Sequence, residues 1–473
     1  MITARSHVRT QITWLAVMDL TCLVLGSIIG VVLRFGHQEM IEYVFRHLEG
    51  WILLFGGVML GNYLGGTYQL QYTYSRFNLV VTWLFSLGFA LLILSITSYS
   101  WFIFILGRGV LFLSLASYSL ISLFLKLLVY RSLFRSESFT CRTVVLGTGD
   151  RAMESVRLLE SPHVLPAHKV VACVRVIDSR ESYTPHASVA HGIAVMESTP
   201  EELPDVVRSL DVRLIVEATD DPAEVKKLYP KLRKLRFRGV ERLSRLALCE
   251  AYSGRTPLDL VDEEFLTQVS LESGLPLVWR LKRLFDILFS LIACVLLLPV
   301  FVLVAFLLKL TAPFSPVLYS QKRVGQFGRV FRIHKLRTMR EDAEKGTGPV
   351  WSQPGDPRVT RLGRVLRRFR IDEIPQFLNI LKGEMSLVGP RPERPEINAE
   401  LARKIPYYEE RENVMPGLTG WAQIRHPYGS TIEDSMRKLE YDLFYIKHLS
   451  ISLDVQIILS TLRIVVMGRE FKV

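Results

Sequence analysis

The chain has 473 residues and a formal net charge of +12, with 49% hydrophobic and 22% charged residues. At roughly 150 residues per domain the length predicts about three units, and this apolar, aromatic-rich composition excludes a disordered or collagen-like chain. A mean hydropathy of +0.25 also excludes one compact soluble domain, so some apolar residues belong in lipid and the charge is concentrated elsewhere.

Four apolar stretches, at about 12–33, 51–70, 79–98 and 110–130, each approach the ~20 residues needed to cross a bilayer. No polar face recurs in them at helical spacing, which predicts four transmembrane helices within 1–135. The first run is too long for the apolar core of a signal peptide and has no A-x-A cleavage site, so it reads as a retained anchor. Basic flanks at Arg5, Arg9, Arg76, Arg131, Arg135 and Arg142 place both ends of the bundle in the cytoplasm. Asp19 lies within the first span, where an ionisable group points to function; near the helix start it could equally reach the interface. Cys22, Cys141, Cys173, Cys249 and Cys294 contain no CxxC pair, so neither a disulfide framework nor a structural zinc site is expected.

Residues 136–250 alternate strand with helix. A strand at Arg142–Leu146 enters Gly147-Thr-Gly-Asp-Arg-Ala152, a helical run reaches Glu160, and Val170–Ile177 and Val212–Ala218 read as further buried strands. The pattern predicts a doubly wound, Rossmann-like α/β domain. Its GxGxxA turn has the form that brings backbone N–H groups to a pyrophosphate. Asp178, however, follows the first glycine by about 30 residues, later than the ~20 expected of a ribose-binding acid, and no YxxxK pair occurs. A structural or regulatory module is therefore preferred to a nucleotide site. A membrane-tethered NAD-dependent sugar-nucleotide dehydratase or epimerase is the alternative enzyme; a non-catalytic polysaccharide-export scaffold is the alternative outside enzymes.

After a linker at 251–277, Ile287–Leu308 runs without a charge, yet Lys282 and Arg283 precede it and Lys309, Lys322 and Arg323 follow. No orientation satisfies the positive-inside rule. Pro299 removes a backbone donor near the middle, leaving two arms of about 11 residues, ~16 Å each and half the hydrocarbon core. A re-entrant helix-break-helix over about 284–310 is predicted, returning to the cytoplasmic face.

From Lys309 to Arg370 there are 15 basic and 4 acidic residues, a local charge of +11. Directly after a membrane re-entry, phosphates at the membrane surface are a more economical partner than nucleic acid, and anionic lipid attracts such a run at about 1 kcal/mol per basic residue. The run holds Lys335-Leu-Arg337-Thr-Met339, then Arg358, Arg361, Arg364, Arg367, Arg368 and Arg370, and leads into Ile371-Asp372-Glu373-Ile374-Pro375. Acids near a proline mark an ordinary helix start. Here the helix dipole and the arginines should keep both carboxylates ionised, so that an Asp can attack phosphorus or hold Mg²⁺. Adjacent side chains on a helix point about 100° apart, which suits the two acids to different roles. Gly389-Pro390-Arg391-Pro392 presents a rigidly held arginine for phosphate, and Met415–Trp421 reads as a pocket wall. No HExxH, GxSxG or Walker pattern supports a hydrolase or ATPase.

The succession KRLFD (282–286), QKRVGQFGRVFRIHKLRTM (321–339), RIDEIPQFLNILKGEMSLVGPRPE (370–393), VMPGLTGWAQI (414–424) and YDLFYIKHLSISLDVQIILSTL (441–462) resembles the bacterial sugar transferase family, the polyprenyl-phosphate sugar-1-phosphate transferases. The likeness covers about 278–473, a mostly α catalytic domain with the re-entrant helix. It implies transfer of a hexose 1-phosphate from a UDP-sugar, UDP-glucose or UDP-galactose, to undecaprenyl phosphate with release of UMP. The reaction would be the first membrane step of exopolysaccharide or O-antigen synthesis, at the cytoplasmic face of a bacterial inner membrane. It further implies Asp372 as a nucleophile forming a covalent phosphosugar, Glu373 with Asp372 at Mg²⁺, and Lys335, Arg337, Arg367 and Arg391 as phosphate ligands. Membrane lipids are expected partners, nucleic acid is not, and a homo-oligomer is left open. Leu336 replaces the family's Phe, a mild change. Leu298-Pro299 stands where small members often have Ser-Pro, so the proline alone marks the membrane re-entry.

Overall fold

The computed structural model describes residues 5–64, 68, 83–84, 86–92, 95, 106–128, 140–161, 168–177, 193–219, 222–273, 276–340, 356–426 and 431–467. They form two compact units, Met1–Ser253 and Gly254–Val473.

The first unit begins with α1 (Arg5–Phe35), α2 (Met40–Arg46), α3 (Leu48–Leu64) and α4 (Arg108–Leu128). Thr13–Phe35 and Arg108–Leu128 are each long and apolar enough to cross a membrane, and α2 with α3 passes the same test as a pair bent by 77°. Half of the third expected span, 79–98, lies outside the described residues and the described half (83–84, 86–92 and 95) is helical; Arg76, Arg131 and Arg135 also lie outside. Gly26 and Gly30 of α1 lie against Tyr118 and Ser114 of α4, where a Cβ would collide with backbone, and Gly61 of α3 meets Ser86 in the same way. Such close contact supplies the packing that lipid-bathed helices need in place of a hydrophobic drive.

Asp19 does not reach the interface; it is fully buried. Its Oδ1 meets Lys126 Nζ at 2.9 Å and accepts from Ser122 Oγ at 2.8 Å, while Oδ2 accepts from Asn62 Nδ2 at 3.2 Å. Asn62 in turn accepts from Ser86 Oγ at 2.8 Å. A lone aspartate would seek water, but a lysine and two further donors at matched depth make burial tolerable.

The rest of this unit alternates β1 (Cys141–Leu146), α5 (Asp150–Leu159), β2 (His168–Val176), β3 (Val195–Ser198), α6 (Leu203–Ser209), β4 (Leu214–Glu217), α7 (Pro222–Phe237), β5 (Glu241–Ser244) and α8 (Arg245–Ser253). The five strands are all parallel, in the order β3-β2-β1-β4-β5. Strand alternation divides the core into two layers. Val144, Leu146 and Ile215 pack with Leu228 and Leu232 of α7, and Val145, Cys173 and Val216 pack with Ala152 and Val156 of α5. Both faces are covered, which explains the near-continuous apolar runs in these strands. Gly147 has φ +120, and a Cβ there would strike the Ala218 carbonyl oxygen; the neighbouring strand alone therefore demands the first glycine of the GxGxxA turn. Asp178 lies outside the described residues.

The second unit comprises α9 (Glu263–Ser273), α10 (Pro276–Thr311), the hairpin β6 (Leu318–Val324) and β7 (Val330–Leu336), α11 (Arg361–Arg368), α12 (Gln376–Lys382), β8 (Ser386–Val388), α13 (Pro395–Lys404), β9 (Gly417–Thr419), α14 (Trp421–Arg425), α15 (Ile432–Lys447) and α16 (Ile451–Met467). The stretch expected as a linker packs here: Gly254 O accepts from Trp421 Nε1 at 2.7 Å, and Arg255 pairs with Glu440 at 2.9 Å.

Where two arms separated by a break were expected, the structure has α10 as one helix of 36 residues that continues through Pro299. A proline deletes a single i to i−4 bond, and apolar surroundings favour keeping all the others closed. Leu291, Ile292, Val295, Leu296, Val302 and Leu303 are exposed along its middle. Both ends are packed: Asp286 Oδ1 accepts from Leu387 N of β8 at 3.0 Å, and Val304 and Leu308 join Leu336 and Leu366 in a small core.

Candidate active site

The hairpin pairs Tyr319 with Lys335, bringing Lys335 to the end of β7. Thr360 caps α11 by accepting from Gly363 N at 2.9 Å, and burial of Leu366 leaves Arg361, Arg364 and Arg368 exposed while Arg367 turns inward, half-buried. Arg370 then adopts φ 55, a left-handed conformation that costs an ordinary residue roughly 1 kcal/mol. It turns the chain into a short 3₁₀ segment, Ile371–Glu373. The dyad thus precedes α12 as a separate turn and does not occupy its first turn as expected.

The two acids are treated unequally. Glu373 Oε1 receives Lys335 Nζ at 3.0 Å and Arg391 Nη2 at 3.2 Å; its Oε2 receives Arg370 Nη1 at 3.2 Å. Asp372 is equally buried, yet its carboxyl has no hydrogen bond or ion pair among the described residues. Burial alone would raise the Glu373 carboxyl, but Lys335, Arg391 and Arg370 outweigh it and hold the group well below the usual range. For Asp372 the balance is reversed. Burial, reinforced by the charge of Glu373, overcomes Lys335, Arg367 and Arg370 and pushes it up to about 6. Lowered affinity for protons, expected of both acids, therefore holds only for Glu373, because the cations' hydrogen bonds go to that residue.

Of the other expected phosphate ligands, Lys335 and Arg391 join the dyad. Arg367 donates from Nε to Thr338 Oγ1 at 2.9 Å, and its charge is felt at Asp372. Arg337 stands apart, with Nη2 3.5 Å from Leu308 O at the end of α10. Pro299 lies inside that helix.

Several positioning residues escaped the sequence. Gln423 Oε1 accepts from Arg391 Nη1 at 3.2 Å. Carbonyls around Gly389-Pro390-Arg391-Pro392 are each gripped by a cation: Val388 O by Lys282 at 2.9 Å, Arg391 O by Arg411 at 2.9 Å and Pro392 O by Arg323 at 3.0 Å. Lys282 and Arg411 are themselves paired, with Asp454 at 2.6 Å and Asp442 at 2.9 Å. Gly389 and Gly417 touch so closely that a Cβ on either would collide with the other loop's backbone, so the MPGLTGW loop is the floor beneath Arg391. All of these residues except Arg411 stand in the quoted motifs, but their partners are mostly remote in sequence and no spacing reveals the pairing.

Magnesium is commonly held by one or two carboxylates together with substrate phosphates and water. Asp372 offers a carboxylate of that kind, while the Glu373 oxygens are already engaged. Among the described residues no three His, Cys, Asp or Glu side chains form a metal cluster. The residues fit a cation that arrives with phosphates better than one bound alone.

Among the described residues, a buried acid without a partner thus lies beside a second acid clamped by three cations, on the same unit as a helix long and apolar enough to cross a membrane. The sequence model described as bacterial sugar transferase matches residues 277–468, and the chain belongs to that family. It is 43% identical over 221 residues to the UDP-N-acetylgalactosamine-undecaprenyl-phosphate N-acetylgalactosaminephosphotransferase of Aeromonas hydrophila, covering 47% of this chain and 51% of that protein. It is 42% identical over 194 residues to the undecaprenyl-phosphate glucose phosphotransferase of Komagataeibacter xylinus, covering 40% and 36% of the two chains. The exopolysaccharide production protein PSS of Rhizobium leguminosarum bv. phaseoli is 40% identical over 186 residues, 38% of this chain and 92% of that one. The matches thus span about half or less of the first two relatives and nearly all of the third.

Proposed function

We propose that the chain is a phosphoglycosyl transferase that moves a hexose 1-phosphate from a UDP-sugar to undecaprenyl phosphate, releasing UMP, at the cytoplasmic face of a bacterial inner membrane. Glucose, galactose and N-acetylgalactosamine are the candidate sugars, the first and last being named for the relatives above. The observation that carries this reading is the unequal dyad. An Oδ of Asp372 attacks the sugar-bearing phosphorus, a P–O bond forms, the bond to the bridging oxygen breaks, and UMP leaves with the electron pair. A carboxyl raised to about 6 is more basic than an ordinary aspartate yet still mostly ionised at neutral pH. Glu373 holds Lys335, Arg370 and Arg391 where the pyrophosphate's charge will lie, which is the positioning and neutralisation that phosphoryl transfer requires. Magnesium, held by Asp372 with the donor phosphates, would neutralise further charge on the pyrophosphate.

Lipid access is the role of α10. Packing of both its ends on one unit, with basic residues on each side, supports a helix that stays continuous but kinks at Pro299, enters the membrane and returns. A cysteine placed just after Lys309 should then be labelled from the cytoplasm, and labelling from the opposite side would refute the re-entry. The five-stranded sheet of the first unit is read as a Rossmann-like structural module.

The decisive assay supplies radiolabelled UDP-sugars, undecaprenyl phosphate and Mg²⁺ to the wild type and to Asp372→Asn. UMP release across the sugar panel identifies the donor, and full turnover by the variant would overturn the assignment.

A further inference from the structure

Donor and acceptor must each bring phosphate to Asp372, and the cations gathered on Glu373 account for one of them. We propose that Arg337 forms a separate subsite for the phosphate of the lipid acceptor, where α10 ends; this rests on the phosphoglycosyl-transferase reading above.

Arg337 lies two residues beyond Lys335, about 7 Å along an extended chain, and Lys335 Nζ is 3.0 Å from Glu373. It is therefore near the dyad, while its guanidinium turns to the end of α10, where it meets Leu308 O. Its backbone is fixed by a 2.9 Å bond from its N–H to Val317 O. Its guanidinium has spare capacity: the 3.5 Å contact to Leu308 O is its one hydrogen bond among the described residues, and Nε is buried without a partner. A guanidinium carries five donors in a planar fork that matches phosphate. The nearby cation Lys309 is, by contrast, already occupied by Pro313 O at 3.0 Å and Ser315 O at 3.1 Å.

The surroundings select a phosphate attached to a hydrocarbon. Leu308 packs in the small core with Val304, Leu336 and Leu366, while Leu303, Phe306 and Leu310 of the same helix are exposed. The exposed apolar flank of α10 thus reaches its last turn at Leu310, and the carbonyl of Leu308 in the same turn meets Arg337. A polyprenyl phosphate with its tail on that flank delivers its head group to the guanidinium before it reaches the dyad. There a phosphate oxygen attacks the phosphorus of the Asp372 phosphosugar, a new P–O bond forms, the P–Oδ bond breaks, and the electron pair returns to the carboxylate. The acceptor arrives as its dianion, so no proton has to be removed.

The test separates the two half-reactions in the full-length protein. Arg337→Gln and Arg337→Lys are assayed for the burst of UMP released from UDP-sugar without acceptor, and then for transfer of the labelled phosphosugar to undecaprenyl phosphate. The inference expects a burst within about twofold of wild type, which also shows that the variant is folded. It expects the KM for undecaprenyl phosphate to rise about 10- to 100-fold in the Gln variant, the scale of one charged hydrogen bond, with partial recovery in the Lys variant. Equal loss in both half-reactions, or an unchanged KM for the lipid, would overturn it. A wild-type protein that forms no adduct would instead break the reading of the function.

Discussion

Two buried carboxylates, Asp19 in the helical bundle and Asp372 in the second unit, both have cations nearby, and they differ in how the partners are shared out. Asp19 has a lysine at 2.9 Å and neutral donors on both oxygens. At the dyad, three cations crowd onto Glu373 and, among the described residues, leave Asp372 with none. An aspartate whose partners satisfy it holds a structure together; one that the structure leaves unsatisfied is held ready for a substrate. Which role a buried acid plays is decided by the direction of the neighbouring cations rather than by their number.

The sharpest way to break this contrast is Asp372→Asn. Turnover should fall by at least about 1000-fold, while stability should rise. The folded-state carboxyl is raised to about 6 from an ordinary ~3.9, so the fold binds the proton more tightly than the unfolded chain. The stability linked to Asp372 is then fully present below about pH 4 and is lost as pH rises through about 6. The variant should accordingly gain about 1–3 kcal/mol at pH 8 and almost nothing near pH 4, read from thermal unfolding at both values. An inactive variant that is also less stable at pH 8 would contradict the strained-acid picture.

In the bundle the opposite is expected. Asp19→Leu or Lys126→Leu alone should cost about 3–5 kcal/mol, whereas the double replacement should return close to wild type. A double variant as damaged as the singles would mean that the pair is not what the helices are built around. Smaller is the pH effect on the first half-reaction, where UMP release should drop about 10-fold from pH 7 to pH 5 as Asp372 takes up its proton. Glu373, held far lower, should add no second limb in that range, and a flat profile would remove Asp372 from the rate. Smallest is Thr360→Ala, which deletes the cap on α11 and should cost about 1 kcal/mol with little effect on the pH midpoint.

Much of the second unit was legible because its chemistry is local in the chain. The dyad, Lys335 and Arg391 lie in short quoted motifs, and three of those four residues meet directly at Glu373. The unequal pairing was not legible, since it depends on Arg370 taking a left-handed turn and on Gln423 reaching Arg391 from 32 residues away. Hydropathy located the apolar helices but erred on Asp19, because Lys126 is more than 100 residues distant and reads by itself as the end of a span. The proline at 299 is visible in the sequence as a missing donor, and the structure keeps the helix continuous across it, because one lost bond does not open the turns on either side. In the first unit the strand pattern gave the parallel sheet, and Gly147 proved to answer to its neighbour Ala218.

The start of α10 has a mechanical meaning. Lys282 and Asp286 hold Val388 O and Leu387 N, so the helix whose apolar flank meets the lipid is bolted to the strand that precedes Arg391. The same few bonds therefore fix both where the helix begins and where the guanidinium beside Glu373 lies, so that loosening Lys282 or Asp286 disturbs the anchor and the site together.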